Sequence, residues 1–170
     1  MKYFNGFSLN GEERLLSSYL VDSEFTVAGF SYGAQEAFEY VYATKERIDR
    51  LILLSPAFFQ NHKKSFIKTQ LRYYKAESRA YREAFLKNVV YPSSLDISSH
   101  LSEGTLEELT SLLTYVWEEE KFLELLARGV TIEVFIGESD KIVESRESYA
   151  FFSNFTTTYL LKGHGHLLLA

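Results

Sequence analysis

The pentapeptide Gly29-Phe30-Ser31-Tyr32-Gly33 joins the apolar run Phe25-Thr26-Val27-Ala28 to a helix-compatible stretch from Ala34 to Tyr42. A short apolar run bounded in this way reads as a buried strand, and apolar residues returning every three or four positions read as a helix. The serine therefore stands on a strand-to-helix turn. A turn this sharp holds its central residue in a strained backbone conformation, and side chains two residues to either side would collide with the strand and the helix. Glycine fits at both of those positions.

The same alternation runs through much of the chain. Apolar runs bounded by turn residues recur at Lys2 to Phe4, Phe25 to Phe30, Leu51 to Leu54, Thr131 to Ile136 and Thr158 to Leu161. Glu12 to Val21 and Tyr32 to Thr44 carry the helical period between the early ones. This pattern predicts an α/β fold with a mostly parallel sheet flanked by helices. It is interrupted after Ser55-Pro56 and resumes near Gly129, so residues 1–56 and 129–170 form the expected core and residues 57–128 an inserted helical lid. Within the lid, Ile67, Leu71, Tyr74, Tyr81 and Phe85 share one face of a predicted long helix, which Tyr91-Pro92-Ser93-Ser94 should end. Two further helices are expected from Thr105 to Tyr115 and from Val116 to Ala127.

A length of 170 residues suits one domain with one core. The sequence has no Cys, which excludes a thiol nucleophile, a Cys-ligated zinc and a disulfide framework. The first residues lack the apolar region of a signal peptide, and no apolar run approaches the roughly 18 residues of a membrane span. The expected location is the cytoplasm.

Charge is distributed unevenly. Between His62 and Val90 eight basic residues face two acidic ones, a local charge of +6. The remaining chain has ten basic and 21 acidic residues, −11, which gives the total of −5. A cationic island in an acidic chain points to a partner.

A serine on such a turn is a candidate nucleophile if a base and an acid can reach it. Gly163-His164-Gly165-His166 follows the last apolar run, and Gly137-Glu138-Ser139-Asp140-Lys141-Ile142-Val143 follows the one before. Ser31, Asp140 and His166 thus occur in the chain order Ser, Asp, His. Two plainer readings stand beside this one. Asp140 also suits a turn cap, although Asp22, Asp49 and Asp96 are worse placed for a triad. His164 and His166, two apart on an extended segment, also suit a metal site, but no Cys, HExxH or Asp/His cluster accompanies them.

With these motifs the sequence resembles a small α/β-hydrolase over nearly its whole length, the pentapeptide being that family's nucleophile elbow. The resemblance implies catalytic roles for Ser31, Asp140 and His166, with His164 as a flanking residue. Asn5-Gly6-Phe7 is similar to the family's His-Gly-x segment, which implies oxyanion donors at the Phe7 and Tyr32 N–H groups. It departs from the family in having Asn5 for the usual histidine. The sequence also starts at what would be the family's third strand and ends four residues after His166, so Leu167 to Leu169 are expected to anchor the histidine loop. No cofactor or metal is implied.

At about 100° per residue, Lys64, Lys68, Arg72, Lys75, Arg79 and Arg82 fall within a sector of roughly 80° on the predicted long helix. Such a ridge suits an acidic partner, a solvated face, or pairing with Glu118 to Glu120; nucleic acid is disfavoured by the acidic remainder. A short α/β-hydrolase with a basic helical lid resembles the esterases that demethylate pimeloyl-acyl-carrier-protein methyl ester in biotin synthesis. That resemblance implies acyl carrier protein, small and acidic, as the partner docked by the ridge. Phe58, Phe59, Tyr74 and Trp117 are then candidate walls of an acyl tunnel. The competing expectations are an esterase or thioesterase on small acyl substrates, and a non-catalytic module binding an acidic protein.

Overall fold

Five strands form the centre of the molecule: β1 (Lys2–Phe4), β2 (Thr26–Phe30), β3 (Arg50–Leu54), β4 (Thr131–Gly137) and β5 (Thr157–Leu161). The structure is a computed structural model describing residues 1–170. All neighbouring strands are parallel and lie in chain order, β1-β2-β3-β4-β5. The crossovers carry α1 (Tyr32–Ala43), α2 (Lys64–Ala76), α3 (Ser78–Val90), α4 (Leu106–Thr114), α5 (Glu119–Ala127) and α6 (Ser145–Phe152).

Strand alternation divides the apolar residues between the two faces of the sheet. Val27, Leu51, Leu53, Ile132, Val134 and Ile136 join a core with Phe38 of α1, Phe122 of α5 and Phe152 of α6. Ala28, Phe30, Ile52 and Leu54 join a smaller core with Leu9, Leu16, Val89, Leu167 and Leu168. Helices thus cover one face, while turns, the end of α3 and the C-terminal residues cover the other. The expected α/β architecture with helices inserted after the third strand is what the chain adopts.

Two local expectations are corrected. Residues 12–21 form two short 3-10 turns, Glu12–Arg14 and Ser17–Tyr19, in place of an α-helix. The apolar period there reflects single anchors, such as the fully buried Leu16, rather than a continuous face. The long lid helix is two helices, α2 and α3, broken at Glu77 by a non-helical backbone (φ −154°, ψ 85°). An unbroken helix over 64–90 would run about 40 Å, roughly twice the width of a five-stranded sheet. Folding back instead brings Tyr74 edge-on to Tyr81, with ring centroids 5.6 Å apart, and lets the Tyr81 hydroxyl donate to Gln70 Oε1 at 3.0 Å.

Of residues 57–128, α2 packs on α3 and α4, whereas α5 lies on α1. There Phe122 meets Phe38 with centroids 4.4 Å apart, and Lys121 Nζ donates to Glu39 Oε1 at 2.8 Å. The start of α4 is fixed by a capping box: Thr105 Oγ1 accepts from Glu108 N–H, and the Glu108 carboxylate accepts from Thr105 N–H. No helix is long and apolar enough to cross a membrane.

Candidate active site

The turn after β2 has the strain expected of it. Ser31 sits at φ 55°, ψ −112°, a region that residues with a Cβ rarely occupy. Its neighbours explain the glycines, since a Cβ on Gly29 would overlap the Gly33 carbonyl, and one on Gly33 would overlap the carbonyls of Phe4 and Asn5. The exit of β3 pins the turn: Ser31 N–H donates to Leu54 O at 2.9 Å, and Ala57 N–H donates to Ser31 O at 3.1 Å.

Two other loops deliver the partners. His166 Nε2 lies 2.8 Å from Ser31 Oγ, and His166 Nδ1 lies 2.6 Å from Asp140 Oδ2. The His166 and Asp140 side chains are fully shielded from solvent, and Ser31 is 3% exposed. Asp140 Oδ1 accepts the N–H groups of Ile142 and Val143 at 2.6 and 3.1 Å, which leaves Oδ2 turned to the imidazole. Asp140 therefore both caps its turn and contacts His166.

The two loops are tied to each other by Ser139 N–H donating to His164 O at 2.8 Å. Leu167 N–H donates to Val89 O at 3.1 Å, Gly165 N–H donates to Leu169 O at 2.9 Å, and Leu167 and Leu168 are buried. His164 does not converge with His166: its Nδ1 lies 2.9 Å from the Lys162 carbonyl, away from the buried relay. A hydroxyl, an imidazole and a carboxylate in this order can move the serine proton to nitrogen while the carboxylate holds the ring and its developing charge.

The loop after β1 lies beside this relay, since the Phe4 and Asn5 carbonyls abut Gly33 in the first turn of α1. Neither Phe7 N–H nor Tyr32 N–H donates to another group of the chain. The Asn5 side chain turns the other way, accepting from Gly11 N–H at 3.0 Å. One residue that the sequence reading passed over stands beneath the loop. Glu12 is fully buried, and its Oε1 accepts Gly6 N–H at 2.6 Å. Burial, and to a smaller degree the charge of Glu13, push its carboxyl above the usual carboxylate range against opposing hydrogen bonds from Gly6 N–H, its own N–H and the Tyr3 hydroxyl.

A cavity of about 720 Å³ opens between the lid helices and the Asp140 loop. Phe59, Phe66, Phe85, Leu109 and Ile142 supply apolar wall, and Asp140 reaches it, while Ser31 does not. Of the four aromatics expected to line a tunnel, Phe59 does so. Tyr74 instead donates to Gly104 O at 2.5 Å, Trp117 Nε1 donates to Ala57 O at 2.9 Å, and Phe58 packs on Phe151 and Phe152.

The break at Glu77 divides the cationic ridge. Lys64, Lys68, Arg72 and Lys75 are exposed on α2, and none forms a salt bridge. Arg79 and Arg82 belong to α3, where Arg79 Nε donates to Glu83 at 2.9 Å and Arg82 lies 3.7 Å from Glu103. The acidic stretch at 118–120 does not neutralise them, because Glu118 pairs with Lys121.

The fold is that of the α/β-hydrolases. The backbone is similar to that of an esterase from Exiguobacterium antarcticum (TM-score 0.61, 15% identity), over 83% of this chain and 59% of that one. It is also similar to a carboxylesterase structure from Nitrososphaera gargenis (TM-score 0.61, 12% identity, 96% and 81% covered). A third similar structure is E-2-(acetamidomethylene)succinate hydrolase (TM-score 0.59, 12% identity, 98% and 84% covered). The chain thus spans about three fifths of the Exiguobacterium esterase. No family model matches the sequence, and no curated protein matches it.

Proposed function

We propose that the protein is a serine ester hydrolase that removes the methyl group from pimeloyl-acyl-carrier-protein methyl ester, releasing the free acid for biotin synthesis. The observation that carries the chemistry is the buried chain Ser31 Oγ, His166 Nε2, His166 Nδ1, Asp140 Oδ2, with contacts of 2.8 and 2.6 Å. Ser31 attacks the ester carbonyl as His166 takes its proton, and Asp140 stabilises the imidazolium. The Phe7 and Tyr32 N–H groups stabilise the oxyanion. His166 then protonates the leaving methoxide, methanol departs, and a water activated by the same imidazole hydrolyses the acyl-enzyme.

The substrate reading draws on the lid. Four unpaired cations on α2 suit a small acidic carrier, and charge complementarity of this kind acts mainly on encounter and orientation. Arg79 and Arg82 belong to α3, and each is offset by a carboxylate, so the docking charge rests mainly on α2. The cavity walled by Phe59, Phe66 and Phe85 suits an acyl chain. Holding the carrier at the lid would keep the thioester away from Ser31 while presenting the methyl ester.

The test compares carrier-linked methyl ester with free monomethyl pimelate at low and high salt. We expect kcat/KM to be higher for the carrier-linked ester and to fall with salt for that substrate alone. Equal, salt-indifferent turnover of both would place the activity on small acyl esters.

A further inference from the structure

The Gly6–Phe7 peptide is held by both of its neighbours. Its carbonyl, Gly6 O, accepts Leu9 N–H at 3.0 Å, and the preceding Gly6 N–H donates to Glu12 Oε1 at 2.6 Å. In a trans peptide the carbonyl and the N–H point to opposite edges, so the turn that uses Gly6 O directs Phe7 N–H away from itself. That N–H has no acceptor in the chain. Removing Glu12 would leave Gly6 N–H buried without a partner, so the chain at Gly6 would turn to recover one and carry the Gly6–Phe7 peptide with it.

Stability alone is a poor reason for this carboxylate. Glu12 is fully buried, no cation pairs with it, and Oε2 has no hydrogen-bond partner. The only other group on Oε1 is the Tyr3 hydroxyl, at 3.3 Å. A buried acid so sparsely paired is costly to the fold. What it does is fix one backbone N–H, 2.6 Å away, in the loop that abuts the first turn of α1.

We infer that Glu12 is a positioning residue for the reaction, holding the Gly6–Phe7 peptide so that Phe7 N–H remains available to the oxyanion. The inference rests on the ester-hydrolase reading of Ser31. Glu12 touches no substrate, and acts through the position of its acceptor oxygen. Glu12→Gln keeps that oxygen in reach of Gly6 N–H, whereas Glu12→Asp keeps the carboxylate but withdraws it by one methylene.

Both variants and wild type are titrated with an alkyl fluorophosphonate, and turnover of p-nitrophenyl butyrate is expressed per labelled site, so unfolded protein does not enter the rate. We expect Glu12→Gln to keep kcat within about threefold. Glu12→Asp should lose roughly tenfold to a hundredfold in kcat with KM within about twofold, below the loss of about 10²–10³ on deleting an oxyanion donor. Fluorophosphonate labelling of Ser31 should slow in the same order. Wild-type kcat per site in Glu12→Asp overturns the inference and leaves the nucleophile intact. A loss in Glu12→Gln equal to that in Glu12→Asp also overturns it, since charge and not position would then matter. Absence of label on Ser31 in wild type removes the hydrolase reading itself, and the role of Glu12 with it.

Discussion

Ser31, Asp140 and His166 come from three loops yet meet within 2.8 Å, almost wholly buried, whereas Lys64, Lys68, Arg72 and Lys75 stand exposed on one helix without ion partners. The first group depends on position: backbone hydrogen bonds from β3, from Ile142 and Val143, and between the two loops set each side chain. The second depends on charge, which acts over several ångströms and tolerates a shift of any one member. Damage to the first should therefore abolish chemistry at once. Damage to the second should appear gradually and for one kind of substrate only.

Ser31→Ala is the most severe break of this contrast, and kcat should fall by at least about four orders of magnitude with the melting temperature held, as measured on p-nitrophenyl butyrate. Asp140→Asn comes next. It retains the acceptor for Ile142 and Val143 N–H but presents the wrong partner to His166, so kcat should drop by about 10³–10⁴. If either change merely raised KM, the buried relay would not be the seat of the chemistry.

Reversing Lys68, Arg72 and Lys75 to Glu together tests the role of charge on α2. KM for a carrier-linked ester should rise by about tenfold, with p-nitrophenyl butyrate turnover and stability unchanged. Loss on both substrates would mean that α2 acts by packing and not by charge.

The smallest effect concerns pH. The folded protein raises the Glu12 carboxyl, chiefly through burial, with Glu13 adding its charge while Gly6 N–H and the Tyr3 hydroxyl oppose. A raised folded value means that the native state binds more protons than the unfolded chain in that window. The associated stability is fully present below the ordinary carboxylate value and is lost as pH rises through the folded one. Urea unfolding of wild type and Glu12→Gln should therefore diverge as pH rises through that range, with the variant gaining. Parallel profiles would show that Glu12 titrates as an ordinary surface acid.

The strands and the three loops that carry Ser31, Asp140 and His166 were legible because each is encoded within a few neighbouring residues. Gly29 and Gly33 announce the turn, and Gly137-x-x-Asp140 and Gly163-x-Gly165-His166 announce the loops that β4 and β5 deliver to it. The lid was less legible. Periodicity over 64–90 carries straight through Glu77, whereas folding back is held by contacts that no local pattern encodes, among them Tyr74 with Gly104 and Tyr81 with Gln70. Glu12 is illegible for a related reason. At the start of a polar stretch it reads as an ordinary surface acid, and its meaning lies in Gly6 N–H, reached only because Gly11 bends the chain back at φ 71°.

The proposed reaction is cleavage, by Ser31, of the distal methyl ester of a carrier-bound acyl chain. Mass spectrometry of pimeloyl-acyl-carrier-protein methyl ester, incubated with wild type and with Ser31→Ala, tests it most directly. Loss of the methyl group with the thioester intact, in wild type alone, is the expected result. Thioester cleavage, or an unaltered carrier beside brisk turnover of p-nitrophenyl butyrate, would contradict it.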